Sequence, residues 1–137
     1  MKKIVLLLSV LFLSLGIQAQ SFENADSVAA ANEPVYEVVE VQPAYPGGAS
    51  AMMDYFKKNM KYPSFAYEQK IQGRAFVRFI VEKDGTISDP KVMKSAGDAS
   101  LDKEAVRLVK SMPKWKPAMQ QGEPVRAYYT VTVTFKR

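Results

Sequence analysis

From Ala75 to Val81 every second residue is apolar (Ala75, Val77, Phe79, Val81), while Arg78 and Glu82 fall on the opposite parity. That is the period of a β-strand with one buried face. Asp84-Gly85 follows, a dipeptide favoured in two-residue hairpin turns because both central residues need positive φ. The chain is expected to return through Thr86 and Ile87 to Val92 and Met93. Ile87 and Val92 are five apart, so a regular strand cannot put both on one face. A bulge near Asp89-Pro90 would turn both inward, and Pro90 needs an edge or a bulge in any case. This return strand is therefore predicted at the edge of the sheet. Near the C-terminus Ala127, Tyr129, Val131, Val133 and Phe135 alternate with Tyr128, Thr130, Thr132, Thr134 and Lys136. This is the most regular strand pattern in the chain, half buried and half wet.

Three other stretches have helical spacing. Ala49, Met52, Met53, Phe56 and Met60 keep to steps of three and four after the breaker Pro46-Gly47-Gly48, and a core-facing stripe explains them better than a methionine-rich binding groove. Tyr62-Pro63 stops this helix, because a residue before proline is pushed out of the α region. A short helical turn over residues 64–69 can start at once, opened by Pro63 or Ser64. Leu101, Ala105, Leu108, Val109 and Met112 form the most regular helix, with Ser100 as N-cap, Asp102 and Glu104 in the first turn, and Lys110 and Pro113 closing it. The only Trp, Trp115, is read as a hinge packed between helix end and sheet, and Gly122-Glu123-Pro124 as the turn into the last strand. Residues 35–41 are β-branched and end near Pro43, which suggests an extended or edge segment. The order helix, short helix, strand, strand, helix, strand implies an α+β fold: a three-stranded antiparallel sheet with two to three helices packed on one face.

Upstream, Lys2 and Lys3 precede an apolar run over residues 4–15 and a small-residue end at Ala19. This is the order of a secretory signal, expected to be cut after Ala19, and an uncleaved inner-membrane anchor is the competing reading. The run of about a dozen residues falls short of the ~20 that a spanning helix needs. Residues 20–34 offer little to bury and read as a tether. The expected organisation is thus a signal at 1–19, a tether at 20–34 and one domain at 35–137. Setting aside Lys2 and Lys3 lowers the formal charge of +5 by two. The remaining basic residues are scattered, which argues against nucleic-acid binding.

The chain has no Cys and no His. Disulfides, thiol lipidation and histidine-based acid/base or nucleophile chemistry are excluded by composition. Asp98, Asp102 and Glu104 cluster in sequence, but charge at a helix N-terminus accounts for them without catalysis. No catalytic residue, cofactor or metal ligand is assigned.

Tyr62-Pro63, Ile71-Gln72-Gly73, the strand positions Val77, Phe79 and Val81, Asp84-Gly85, Leu101-Asp102, residues 115–118, Gly122, Pro124-Val125 and the terminal strand to Phe135 together resemble the C-terminal domain of TonB-type energy transducers, over residues 45–137. Pro46-Gly47-Gly48 with the methionine-rich helix resembles the extended, Bacteroidetes-type form. The resemblance implies a periplasmic, non-enzymatic module that grips the N-terminal segment of TonB-dependent outer-membrane receptors by strand addition. Carried over by position, the partner-binding residues are Tyr62 and Pro63, with Tyr128, Tyr129, Thr130, Val131, Thr132, Val133 and Thr134 as the acceptor edge. A full transducer of this family has an anchor with a functional His that meets a proton-driven inner-membrane motor, and a Pro- and Lys-rich spacer. This chain has neither the His nor such a spacer in residues 20–34. It is expected to be either a detached soluble domain or a protein with an unusually short retained anchor, which alone would bring the motor in as a partner. The rival reading is an envelope structural domain that pairs with a second copy or another envelope component, such as cell wall, through edge strands. Arg74, Arg78 and Lys83 could face an anionic polymer, but solvated surface charge explains them more simply.

Overall fold

The computed structural model describes residues 33–137, so the expected signal and nearly all of the tether lie outside the described residues. Residues Val35–Arg137 form one compact unit. The elements are β1 (Val35–Tyr36), α1 (Ala49–Asn59), α2 (Ser64–Glu68), β2 (Gly73–Val81), β3 (Ile87–Lys94), α3 (Ala99–Lys110), β4 (Ala118–Gln120) and β5 (Glu123–Phe135). The strands lie in the order β1-β5-β2-β3, with β4 also paired to β5. The three long antiparallel strands and three helices follow the expectation from spacing. β1, parallel to β5, and β4 raise the strand count above it.

β2 and β5 pair antiparallel without a register shift, from Gly73 opposite Phe135 to Val81 opposite Ala127. That register sets Val77 against Val131 and Ala75 against Val133, so the apolar parities of both strands share one face. Leu101, Ala105, Leu108 and Val109 of α3 are fully buried in the core that this face belongs to. Trp115 occupies the place expected of it. It is 4% exposed and meets Phe79, Tyr129 and Tyr45 edge-on, at ring-centre distances of 5.3, 5.1 and 5.9 Å.

Four local expectations change. The hairpin between β2 and β3 is not a two-residue Asp84-Gly85 turn. The Gly85 amide bonds to the Glu82 carbonyl and the Glu82 amide to the Thr86 carbonyl, and of the loop residues only Gly85 has positive φ. Lys83 and Asp84 are therefore the turn centre, and Gly85 is the left-handed bulge residue behind it. α3 is capped by Asp98, not Ser100: the Asp98 carboxylate accepts from the Ser100 and Leu101 amides. In α1 Phe56 is buried and Met52, with Met60 at the helix end, packs on the core as expected, but Met53 is 42% exposed. Tyr55 packs on the core instead, with its hydroxyl donating to the Ser111 carbonyl at 2.6 Å. The turn into β5 is Gln121-Gly122, both at positive φ, and closes a β4–β5 hairpin that the sequence pattern had not marked.

The bulge near Asp89-Pro90 is present. The β2–β3 register shifts between Arg78 and Ile80, Asp89 has φ 50°, and Ile87 and Val92 both pack against the core. β3 is an edge strand, as this bulge implied.

A methyl group at Gly85 would sit 2.1 Å from the Trp115 carbonyl oxygen, at φ +88°, whereas at Gly97, φ +98°, it would meet open space. Gly97→Ala should cost about 1 kcal/mol from backbone strain alone, and Gly85→Ala about 3 kcal/mol or more, because the Trp115 backbone must also move. Urea unfolding of the two variants checks the difference; equal losses would contradict the packing of Gly85 on Trp115.

Candidate functional site

β5 is paired on both sides only at Ala127, between β1 and β2. β4 pairs with Glu123 to Val125, ahead of the point where β2 begins, and on the side away from β2 β1 covers Arg126 and Ala127. From Tyr128 onward no strand among the described residues lies on that side, while β2 holds the other side as far as Phe135. The predicted acceptor edge, residues 128–134, is thus an open strand rim backed by a regular ladder. The segment 35–41 takes only the neighbouring two positions. It leaves β5 after Tyr36, and Val41 bonds instead to Met119.

Along this rim the side chains divide by parity. Val131 and Val133 are buried and Tyr129 packs on Phe79 and Trp115, so these three present only their backbone. Thr130, Thr132 and Thr134 are exposed on the outer sheet face, and Tyr128 is half-buried there beneath Arg78, whose guanidinium carbon is 3.6 Å from the ring centre.

Tyr62 and Pro63 part company. The Tyr62 ring meets Phe135 edge-on at 5.8 Å and Tyr67 at 5.3 Å, and its hydroxyl donates to the Ile71 carbonyl. It therefore reaches the C-terminal end of the rim, mainly as a packing group. Pro63 instead opens α2 and lines a depression of about 340 Å³ with Ser100, Lys103, Glu104 and Arg107, where β5 contributes nothing.

Two groupings that the sequence reading missed frame the site. The first is at the near end of the rim, where Glu37, just past β1, lies 3.4 Å from Arg78 on the outer face. Nothing in the linear pattern links residues 37, 78 and 128. The second holds the Tyr62-Pro63 turn. Glu104, 7% exposed, accepts from the Lys61 amide at 2.6 Å and from Arg107 Nε at 2.6 Å, and Arg107 also donates to the Asn59 carbonyl at 2.8 Å. The i, i+3 spacing of Glu104 and Arg107 was the one visible signal. Burial pushes the Glu104 pKa up, but the bonds from Arg107 and Lys61 outweigh it and hold the carboxyl below its ordinary 4.5. Arg126 and Ser88 likewise hold Glu82 down against its burial, with Arg126 Nε at 2.7 Å.

The model of the Gram-negative bacterial TonB protein C-terminal family matches residues 58–137. The chain belongs to the TonB C-terminal family. Protein TonB of Haemophilus influenzae is 42% identical over 60 residues, which is 44% of this chain and 22% of that protein. The chain thus matches less than a quarter of that relative's length. The solution structure of a Helicobacter pylori TonB C-terminal domain superposes with a TM-score of 0.51 at 22% identity, over 67% of this chain and 86% of that one, a likeness of fold. In this TonB-family domain the matched region takes in both the rim on β5 and the Tyr62-Pro63 turn. Among the described residues no helix is long and apolar enough to cross a membrane.

Because the folded-state pKa of Glu104 is lowered, its contribution to stability is complete above the unfolded value near 4.5 and is lost as the pH falls through the folded value. Glu104→Gln should cost about 1–3 kcal/mol at pH 7. It should also flatten the loss of stability below about pH 4.5 relative to the parent, although Glu82 keeps part of that slope. Chemical denaturation at pH 7 and at pH 3.5 measures both; an unchanged acid slope would remove Glu104 from this role.

Proposed function

We propose that this domain is a non-enzymatic binding module of the periplasm that takes an extended N-terminal segment of a TonB-dependent outer-membrane receptor as an added strand on β5. One contrast carries the reading. The sheet has two outer rims, and only one is defended. β3 is bulged at Asp89, carries Pro90, and bears Lys91 and Lys94, all features that discourage pairing. The rim of β5 from Tyr128 keeps an unshifted register with β2, has no proline, and carries small threonines on its outer face that leave a neighbouring backbone room to approach.

An incoming strand would satisfy the open backbone groups of residues 128–134, and that ladder gives affinity with little demand on side chains. β1 supports the mode, since it is already a strand added to β5 at Arg126 and Ala127. It also bounds the site at one end, as the Tyr62–Phe135 contact marks the other. Seven residues at ~3.3 Å each make a footprint of about 23 Å.

Strand addition uses the amides of alternate ligand residues only. A receptor-derived peptide N-methylated at every second residue should therefore bind like the unmethylated peptide in one register and about 100-fold more weakly in the other, with backbone amide shifts concentrated at residues 128–134. Loss in both registers, or in neither, would reject the ladder. Concentration-dependent shifts of the same amides without peptide would point instead to a second copy of the chain on this rim.

A further inference from the structure

The contact between Glu37 and Arg78 shows how a strand on the rim of β5 is read from across it. Arg78 stands on β2 opposite Thr130, yet its guanidinium lies over Tyr128, two residues toward β1. From there it reaches Glu37, which follows directly on the strand paired at Ala127. An arginine of β2 thus spans β5 on the outer face and ion-pairs with the strand beyond.

Four residues along β2, about 13 Å away, Arg74 repeats the position. It has the same parity as Arg78, stands opposite Thr134 in the same unbroken register, and is exposed. The way across β5 passes Thr132 and Thr134, both small and exposed. Among the described residues no acidic side chain lies within ion-pair distance of Arg74. With Lys136 it lines a shallow depression of about 220 Å³ at this end of the rim, together with Gln72, Gly73, Thr134 and Phe135. Lys94, over the Phe76 ring at 5.7 Å, adds a further cation on the same face. The strand missing beside residues 128–134 therefore faces positive charge with no built-in counter-charge.

We infer that the segment docked on β5 is acidic on its outward side, with a carboxylate beside Thr132 or Thr134 held by Arg74 as Glu37 is held by Arg78. The inference rests on strand addition at this rim and adds the ligand's charge to it. Arg74 is then the residue that selects among extended segments, since the backbone ladder is indifferent to sequence.

Three heptapeptides test this on the full chain, each alternating valine with Glu, Gln or Lys, so that the register with valine inward sets the variable side chains outward beside both Thr132 and Thr134. The parent should prefer Glu over Gln over Lys. Arg74→Glu should weaken the Glu peptide roughly fivefold to tenfold and leave the Gln peptide within about twofold, and added salt should narrow the gap. Lys91→Glu, on the far strand, should leave the Glu-to-Gln ratio unchanged. The inference is overturned if Arg74→Glu leaves that ratio as it was, or if Lys91→Glu lowers it equally, which would mark a diffuse field. In both cases amide shifts at residues 128–134 would keep strand addition standing. Peptides that move none of those amides would remove strand addition, and this inference with it.

Discussion

The unbroken ladder between β2 and β5 is the constraint from which the rest of this domain follows. Nine consecutive pairs without a shift force the apolar parity of both strands onto one side, where Phe79, Val81, Val131 and Phe135 are buried. A slip of one residue would turn Val131 and Val133 to water and bring Thr130 and Thr132 into the core. α3 then has one place to bury Leu101, Leu108 and Val109, and Trp115 fills the corner between the helix end and the β2–β3 turn through its amide bond to the Gly85 carbonyl.

The same ladder explains why the functional proposal falls on β5. With β2 fixed on one side, the backbone groups of β5 that face away need another partner or water. β1 supplies a partner at Arg126 and Ala127 and no further among the described residues. The opposite rim is interrupted by a bulge and a proline. One sheet thus closes one edge and leaves a measured length of the other open. Its outer face carries Arg74 and Arg78, whose side chains need no place in the core.

Away from the sheet, the buried Glu104 ties three pieces of chain together. It fixes the Lys61 amide and, through Arg107, the end of α1, so the Tyr62-Pro63 turn is held on α3. Tyr62 can then project toward Phe135 at the end of β5. The resemblance to the TonB family named the Tyr62-Pro63 turn as a second contact region beside the rim. In the fold Tyr62 reaches the end of the rim, and Pro63 faces the helix.

Alternation and helical spacing by themselves determined the three long strands, the three helices, the edge position of β3 and even its bulge. Each of these depends on neighbours within a few residues along the chain: Pro90 excludes a central strand, and Ile87 and Val92 require an extra residue between them to share a face. Turn chemistry was legible only in part. Gly85 was rightly expected at positive φ, but whether Asp84 joins it depends on the register of the two strands, which is a long-range property. The short strand β4 was invisible for the same reason, and residues 35–41 were legible only as an extended or edge segment, because two or three residues carry no period and exist as strands only where β5 offers them an edge. The charges divide likewise. Glu104 looked like an exposed first-turn acid until α1 and Lys61 packed against it, and Glu37, Arg78 and Tyr128 are brought together only when three distant segments lie side by side. Local sequence chose the elements, while the tertiary structure decided which backbone edge stays open and which cations look over it, since both follow from pairings between segments far apart in the chain.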